Sequence, residues 1–235
     1  MNFAIVILLS MFSTVVYASN DSILEKIDAV RANSESFFMR IVITDYSESG
    51  KVDRAEYDSY FSGYEKSVLI CRSGKNKKMK ILMKDNDMWA CLPGSRRSIR
   101  ITPQQRLMGQ ASNGDVAKIA FSREYTISES IAQGNNLVLT LIAKKASATY
   151  QRIALTVSAE TYVMKHADFF LLSGKLFKKA EYEYDYSGEF PRLAMVKIID
   201  TVKTGRWTTM TYGFAQPREI ADRIFNATYL PEWNG

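Results

Sequence analysis

The chain has 235 residues, with 31 Lys and Arg against 25 Asp and Glu for a net charge of +6, a single histidine and two cysteines. A surplus of that sign suits anionic partners such as lipid headgroups or acidic protein faces. One histidine leaves little room for His-centred catalysis or metal binding. Residues 3–12 (FAIVILLSMF) form an uncharged apolar run, followed by Val16-Tyr17-Ala18. Small residues at the −3 and −1 positions predict a signal peptide cleaved after Ala18. The run is too short to anchor a protein, and no later stretch approaches the roughly 20 apolar residues of a membrane helix. The reading is therefore an exported protein, a poor match to nucleic acid, with residues 19–235 as one large domain. No cysteine follows the run, so lipidation is not expected there.

Residues 22–33 place Ile23, Leu24, Ile27 and Val30 at helical spacing, with Asn20 or Asp21 available as N-cap. Strand character dominates afterwards. Residues 37–44 (FFMRIVIT) are apolar at each odd position, and strands follow at 57–61, 64–71, 78–84, 88–92 and 96–101, separated by turn-forming clusters such as SESG at 47–50 and DND at 85–87. Short helices are expected at 103–108 and 115–121 around a flexible loop at 109–114. Strands then resume at 124–131, 137–143, 152–158, 161–172, 176–186, 193–202 and 207–214. About 11–12 strands at hairpin spacing predict a mainly β fold, a single strongly curved antiparallel sheet forming a half-open barrel with short lid helices.

One face of that sheet is apolar. Met39, Ile41, Ile43, Met79, Ile81, Met83, Leu137, Leu139, Leu141, Ile153, Leu155 and Val157 all fall in period-2 register, opposed by more polar neighbours. A filled core explains any one of them. A barrel of so many strands, however, is too wide to be filled by its own side chains, so a lid or a ligand must occupy the interior. Methionine, with its flexible thioether, adapts to occupants of varied shape. Basic residues gather at two places: Lys75, Lys77, Lys78, Lys80 and Lys84 on one hairpin, and Arg96, Arg97, Arg100 and Arg106 towards the lid. Solvated faces explain most such runs. The functional alternative for the arginines is docking on anionic headgroups or on an acidic transporter domain.

Catalytic constellations are scarce. His166, between Lys165 and Asp168, reads as a strand-surface imidazole, and the chain has no G-x-S-x-G elbow, no H-E-x-x-H and no cysteine pair at zinc spacing. Glu181 and Glu183 alternate with Tyr182, Tyr184 and Tyr186 as one strand face would. No catalytic residue, metal or cofactor is predicted. An oxidising compartment favours a disulfide between Cys71 and Cys91. If one strand separates them, their Cα atoms lie about 9–10 Å apart, beyond the ~7 Å that a bridge spans, so a bridge and two buried thiols both stay open.

Residues 85–119 resemble the outer-membrane lipoprotein-sorting (LolA-like) family, through Trp89, Leu92-Pro93, Arg97, Arg100 and Met108-Gly109. Phe190-Pro191 before a strand and the closing IFNATYL at 224–230 are similar to the later parts of the family pattern. Two departures stand beside the lid: Cys91 where a tyrosine is expected, and Gln110-Ala111 in place of Ser-Asp, with the acidic position displaced to Asp115. The resemblance implies a monomeric periplasmic carrier whose cavity takes lipoprotein acyl chains or lipid from an inner-membrane transporter towards the outer membrane. Leu107, Met108, Val116, Ile119 and Phe121 would be the lid contacts. The resemblance also admits an envelope sensor or adaptor that binds a membrane protein, with the cavity sensing lipid.

Overall fold

The computed structural model describes residues 20–31, 36–118 and 120–235. The expected signal peptide and Ile119 lie outside the described residues. Helix α1 (Asn20–Arg31) precedes a meander of six strands: β1 (Phe37–Tyr46), β2 (Val52–Ser62), β3 (Lys66–Cys71), β4 (Lys80–Lys84), β5 (Asp87–Cys91) and β6 (Ile99–Ile101). A crossing segment follows, made of β7 (Arg106–Met108), β8 (Ala111–Ser112), α2 (Asn113–Ala117) and α3 (Phe121–Glu124). The second meander comprises β9 (Tyr125–Gln133), β10 (Asn136–Ala143), β11 (Arg152–Ser158), β12 (Met164–Phe170), β13 (Leu176–Asp185), β14 (Arg192–Asp200) and β15 (Trp207–Tyr212). A short β16 (Gln216–Pro217) adds to β1.

The two meanders join along one antiparallel seam, where Ile41 of β1 meets Tyr212 of β15 and Ile43 meets Met210. The result is a 14-stranded sheet with β6 at one edge and β9 at the other. These edges do not pair, so the barrel is half open.

Alternation along the strands sorts the side chains into two layers. Ile41, Ile43, Ile81, Met83, Leu139, Leu141, Ile153, Leu155 and Val157 are buried on the concave face, with Leu24 and Ile27 of α1, Val116 and Ala117 of α2, and Phe121 of α3. Burying each such aliphatic side chain contributes about 1.5–3 kcal/mol, which is why α1 shows apolar residues at three-residue spacing. On the convex face Tyr60, Val68, Ile70, Leu82 and Cys91 lie beneath Ile224, Phe225 and Leu230 of the C-terminal segment. That segment also buries Lys80, whose Nζ donates to the carbonyls of Leu230 (3.1 Å) and Pro231 (2.8 Å).

Three expectations are settled differently or more sharply here. Residues 103–108, expected as a helix, form a turn leading into a strand of the β7–β8 hairpin. Pairing of Arg106 with Ser112 and of Met108 with Ala111 satisfies the backbone of a segment that has no sheet neighbour. The helix expected at 115–121 is two short helices, and the first starts earlier because Ser112 and Asp115 close a capping box: each side chain accepts from the other's backbone N–H. Both cysteines are free thiols. Cys71 belongs to the concave cluster and Cys91 to the convex one, so they point to opposite faces of the sheet.

Candidate functional site

The crossing segment leaves the edge strand β6 and enters the opposite edge strand β9, so it spans the concave face as a lid. Its hairpin turns at Gly109, where φ is +55° and a Cβ would collide with the Asp45 carboxylate and the Thr208 hydroxyl. Only glycine lets the turn settle so closely on the seam. There the Gln110 N–H donates to Thr208 Oγ1 (2.7 Å), and that hydroxyl donates to Asp45 Oδ1 (2.7 Å). Gln110 Nε2 reaches Asp200 Oδ2 at 3.1 Å.

A buried ion pair completes the attachment. Lys178 of β13 is 1% exposed, and its Nζ donates to Gln110 O (2.7 Å) and to Asp115 Oδ2 (2.8 Å). Tyr150 donates its hydroxyl proton to Asp115 Oδ1 at 2.6 Å, and the Ser112 N–H donates to Asp115 Oδ2 at 2.8 Å. Burial alone would raise the Asp115 carboxyl, but the Lys178 charge and hydrogen bond, helped by Ser112 and Tyr150, outweigh it and hold the group below the usual carboxylate range. Burial and the Asp115 charge push the Tyr150 phenol well above its ordinary value, so it remains a donor. The lid is thus pinned to the sheet by a charged latch inside an apolar layer.

Next to the latch is an apolar cavity of about 210 Å³, lined by Ala29 and Val30 of α1, Phe37, Met39 and Phe61 of the sheet, and Val116 of the lid. The Phe37 and Phe61 rings stack at 4.9 Å. Phe190, Pro191 and Arg192 form its mouth, and Asp115 closes its inner wall. Phe190 is 75% exposed and Phe214 67%. The Arg192 guanidinium lies 4.2 Å from the Phe214 ring and its Nη2 donates to Asp185 Oδ2 at 2.9 Å. Hydrogen bonds from Ser187 first, and from Arg192 second, bring the Asp185 carboxyl down to about 2. The mouth therefore combines exposed aromatic rings with a guanidinium held in an ion pair with Asp185.

The structure divides the sequence-predicted site residues. Met39 and Val116 line this cavity. Met79, Ile81, Leu107 and Arg106 border a separate open groove of about 340 Å³ beneath β5 and β6, and Met83 borders a polar recess with Lys118 and Glu124. Ile41, Ile43, Leu139, Leu141, Ile153, Leu155 and Val157 are sealed core beneath the helices and line neither the cavity nor the groove. Leu137 and Met108 are half-buried against that core, and Phe121 is buried within it. Arg96 and Arg97 are exposed in the β5–β6 turn, while Arg100 pairs with Asp87 and lies over the Trp89 ring. Arg106 borders both the open groove and the recess beside Lys178. His166 sits 2.7 Å from Asp168 on the outer side of β12, whose Ala167 and Phe169 face the core. Among the described residues no group of His, Cys, Asp and Glu is placed to hold a metal ion. Among the cavity residues that sequence reasoning missed are Phe37, which heads the same odd register as Met39, and Phe61, Arg192 and Tyr212, which reach the site through strand pairing.

A half-open antiparallel barrel with an apolar concave face and short helices lying across it is the LolA-like fold. A LolA superfamily protein from Nitrosomonas europaea is 28% identical and superposes with a TM-score of 0.82, the match covering 91% of this chain and 100% of that one. A DUF1329 family protein from Desulfovibrio piger (18% identity, 90% and 97% covered, TM-score 0.72) shares the fold. So does a domain from Vibrio parahaemolyticus assigned to outer membrane lipoprotein sorting (15%, 90% and 98%, 0.72). A family model described as "Uncharacterized protein" matches residues 63–232. The chain belongs to that family and is a LolA-like protein. No curated protein matches it in sequence. Among the described residues no helix is long and apolar enough to cross a membrane.

Proposed function

We propose that the protein is a periplasmic carrier, without catalytic activity, that holds an acyl chain of a lipid or lipoprotein between sheet and lid and moves it from an inner-membrane transporter towards the outer membrane. The observation that carries this reading is the cavity between α1, α2 and the β1–β2 face, with its aromatic wall and Arg192 at the mouth. An apolar tail in the cavity and a polar head beside the Arg192–Asp185 pair would satisfy both ends of such a cargo. At about 210 Å³ the cavity is smaller than the roughly 300–1,000 Å³ of common ligand sites, so a long chain enters only as the lid moves outward. The chain works as a monomer in this reading.

Native mass spectrometry of protein purified from its own periplasm should show bound lipid, and a fluorescent acyl probe should be taken up. Val116→Trp, which fills the cavity from the lid side, should weaken probe binding about tenfold, the factor given by roughly 1.4 kcal/mol of steric loss. Absence of lipid together with absence of probe uptake would overturn the assignment.

A further inference from the structure

The strands that form the cavity mouth at one end lead to a different surface at the other. β13 begins with Leu176, opposite Phe170 of β12, and ends with Asp185, opposite Arg192 of β14. The turns at 171–175 and 201–206 therefore lie together at the end of the sheet remote from Arg192 and Phe190. Thr201 ties them by donating its hydroxyl to Phe177 O at 2.8 Å.

The chemistry of these turns is unusual for a water-facing surface. Residues 171–177 read LLSGKLF and residues 201–206 read TVKTGR, with no acidic residue in either. Leu172 is 86% exposed and Val202 65%, and Leu171 and Phe177 are exposed beside them. Single exposed apolar residues are ordinary, but several on two adjacent turns mark a contact surface. Lys175 and Lys203 are exposed in the same turns. Asp200, at their base, accepts from the turn's own Val202 and Lys203 N–H groups through Oδ1 and from Gln110 of the lid through Oδ2.

We propose that this pair of turns is a docking surface for an anionic phospholipid bilayer, with Leu171, Leu172 and Val202 entering the boundary between headgroups and acyl chains and Lys175 and Lys203 resting on lipid phosphates. Charge complementarity selects this occupant: apolar side chains at protruding turn tips, flanked by Lys175 and Lys203, which outnumber the Glu48 carboxylate beside Gly205, match a negatively charged interface. The recess behind the turns, about 300 Å³, is walled by Leu171, Leu172 and Phe177 on one side and by Gln110, Ser112 and Lys178 on the other. Docking would thus place the lid latch beside the membrane.

The inference is independent of the cavity reading and is tested apart from it, with the full mature chain and vesicles of phosphatidylcholine alone or mixed with phosphatidylglycerol. The protein should co-sediment with the mixed vesicles at low salt and be released by salt, and Leu171→Ser/Leu172→Ser should reduce binding at least tenfold. Lys175→Gln and Lys203→Gln should each weaken it about fivefold. Leu172→Trp should show a blue-shifted emission with the anionic vesicles. Acyl-probe uptake in solution should stay at the parent level in the serine variant, because the turns lie away from the cavity. Absence of binding to the anionic vesicles, binding indifferent to the turn substitutions, or Leu172-dependent capture of a protein without vesicle binding would each overturn the proposal.

Discussion

Lys178→Met keeps the length and apolar stem of the side chain and removes its charge and its hydrogen bonds. In the parent, Lys178 Nζ lies 2.8 Å from Asp115 Oδ2 and 2.7 Å from Gln110 O, in a site from which water is excluded. The variant leaves the Asp115 carboxylate buried with only Tyr150 and Ser112 as donors. Removing one partner of a buried ion pair costs about 3–5 kcal/mol. At roughly 2–4 °C per kcal/mol for a domain of this size, the melting temperature should fall by about 6–20 °C. Urea titration and thermal melting of the parent, Lys178→Met, Asp115→Asn and the double variant complete the cycle. Asparagine keeps an acceptor for Tyr150 while removing the stranded charge, so the double variant should be more stable than the sum of the singles predicts, by about 1–3 kcal/mol. A loss below about 1 kcal/mol in Lys178→Met, or strict additivity, would refute the latch as described.

Gly109→Ala puts a methyl group against Asp45 and Thr208 at a positive φ, and should cost about 1–3 kcal/mol. Limited proteolysis within residues 103–124 should quicken with it, and unchanged cleavage would refute the close approach. Acid should loosen the same latch. Burial raises the Asp115 carboxyl, but Lys178 and the hydrogen bonds lower it further. A folded value below the unfolded one of about 3.9 gives a stability contribution that is complete above that pH and lost as pH falls through the folded pKa. The urea midpoint should therefore drop in acid below about pH 4, and Asp115→Asn should flatten that part of the profile; identical profiles would count against it. Finally, protein isolated without reductant should expose the thiols of Cys71 and Cys91 to a thiol reagent only after denaturation. No reactive thiol in the denatured chain would show that the cysteines are oxidised.

The period-2 register made the inner face legible, because a side chain's face depends only on its position along its own strand. Which part of that face is sealed and which is open depends on where α1, α2 and α3 settle, and local pattern carries no record of that. Ile153 and Met39 read alike in sequence, yet one is core and the other lines the cavity. The hairpin at Gly109 was disguised by Pro103 and by residues with good helix propensity. The Ser112-to-Asp115 spacing, by contrast, is a local capping signal that can be read directly. Lys178 was hidden beside Lys179: adjacent strand lysines point to opposite faces, and only the placement of Ala180 and Tyr182 on the concave side reveals which one turns inward. The run VLIC at 68–71 is apolar on both faces, as a strand covered on both sides must be. What covers its outer side, the segment around Phe225, is remote in sequence.

The crossing segment begins at one free edge of the sheet and ends at the other. It therefore acts as a string across a bow. Its anchorage at Gln110 and Asp115 shortens the effective span, and unlatching lengthens it. Lid position and sheet curvature are in consequence one mechanical variable. In the proposed carrier, a guest that lifted the hairpin would also let the two edges spread, and a force that flattened the sheet would pull on the Lys178–Asp115 pair.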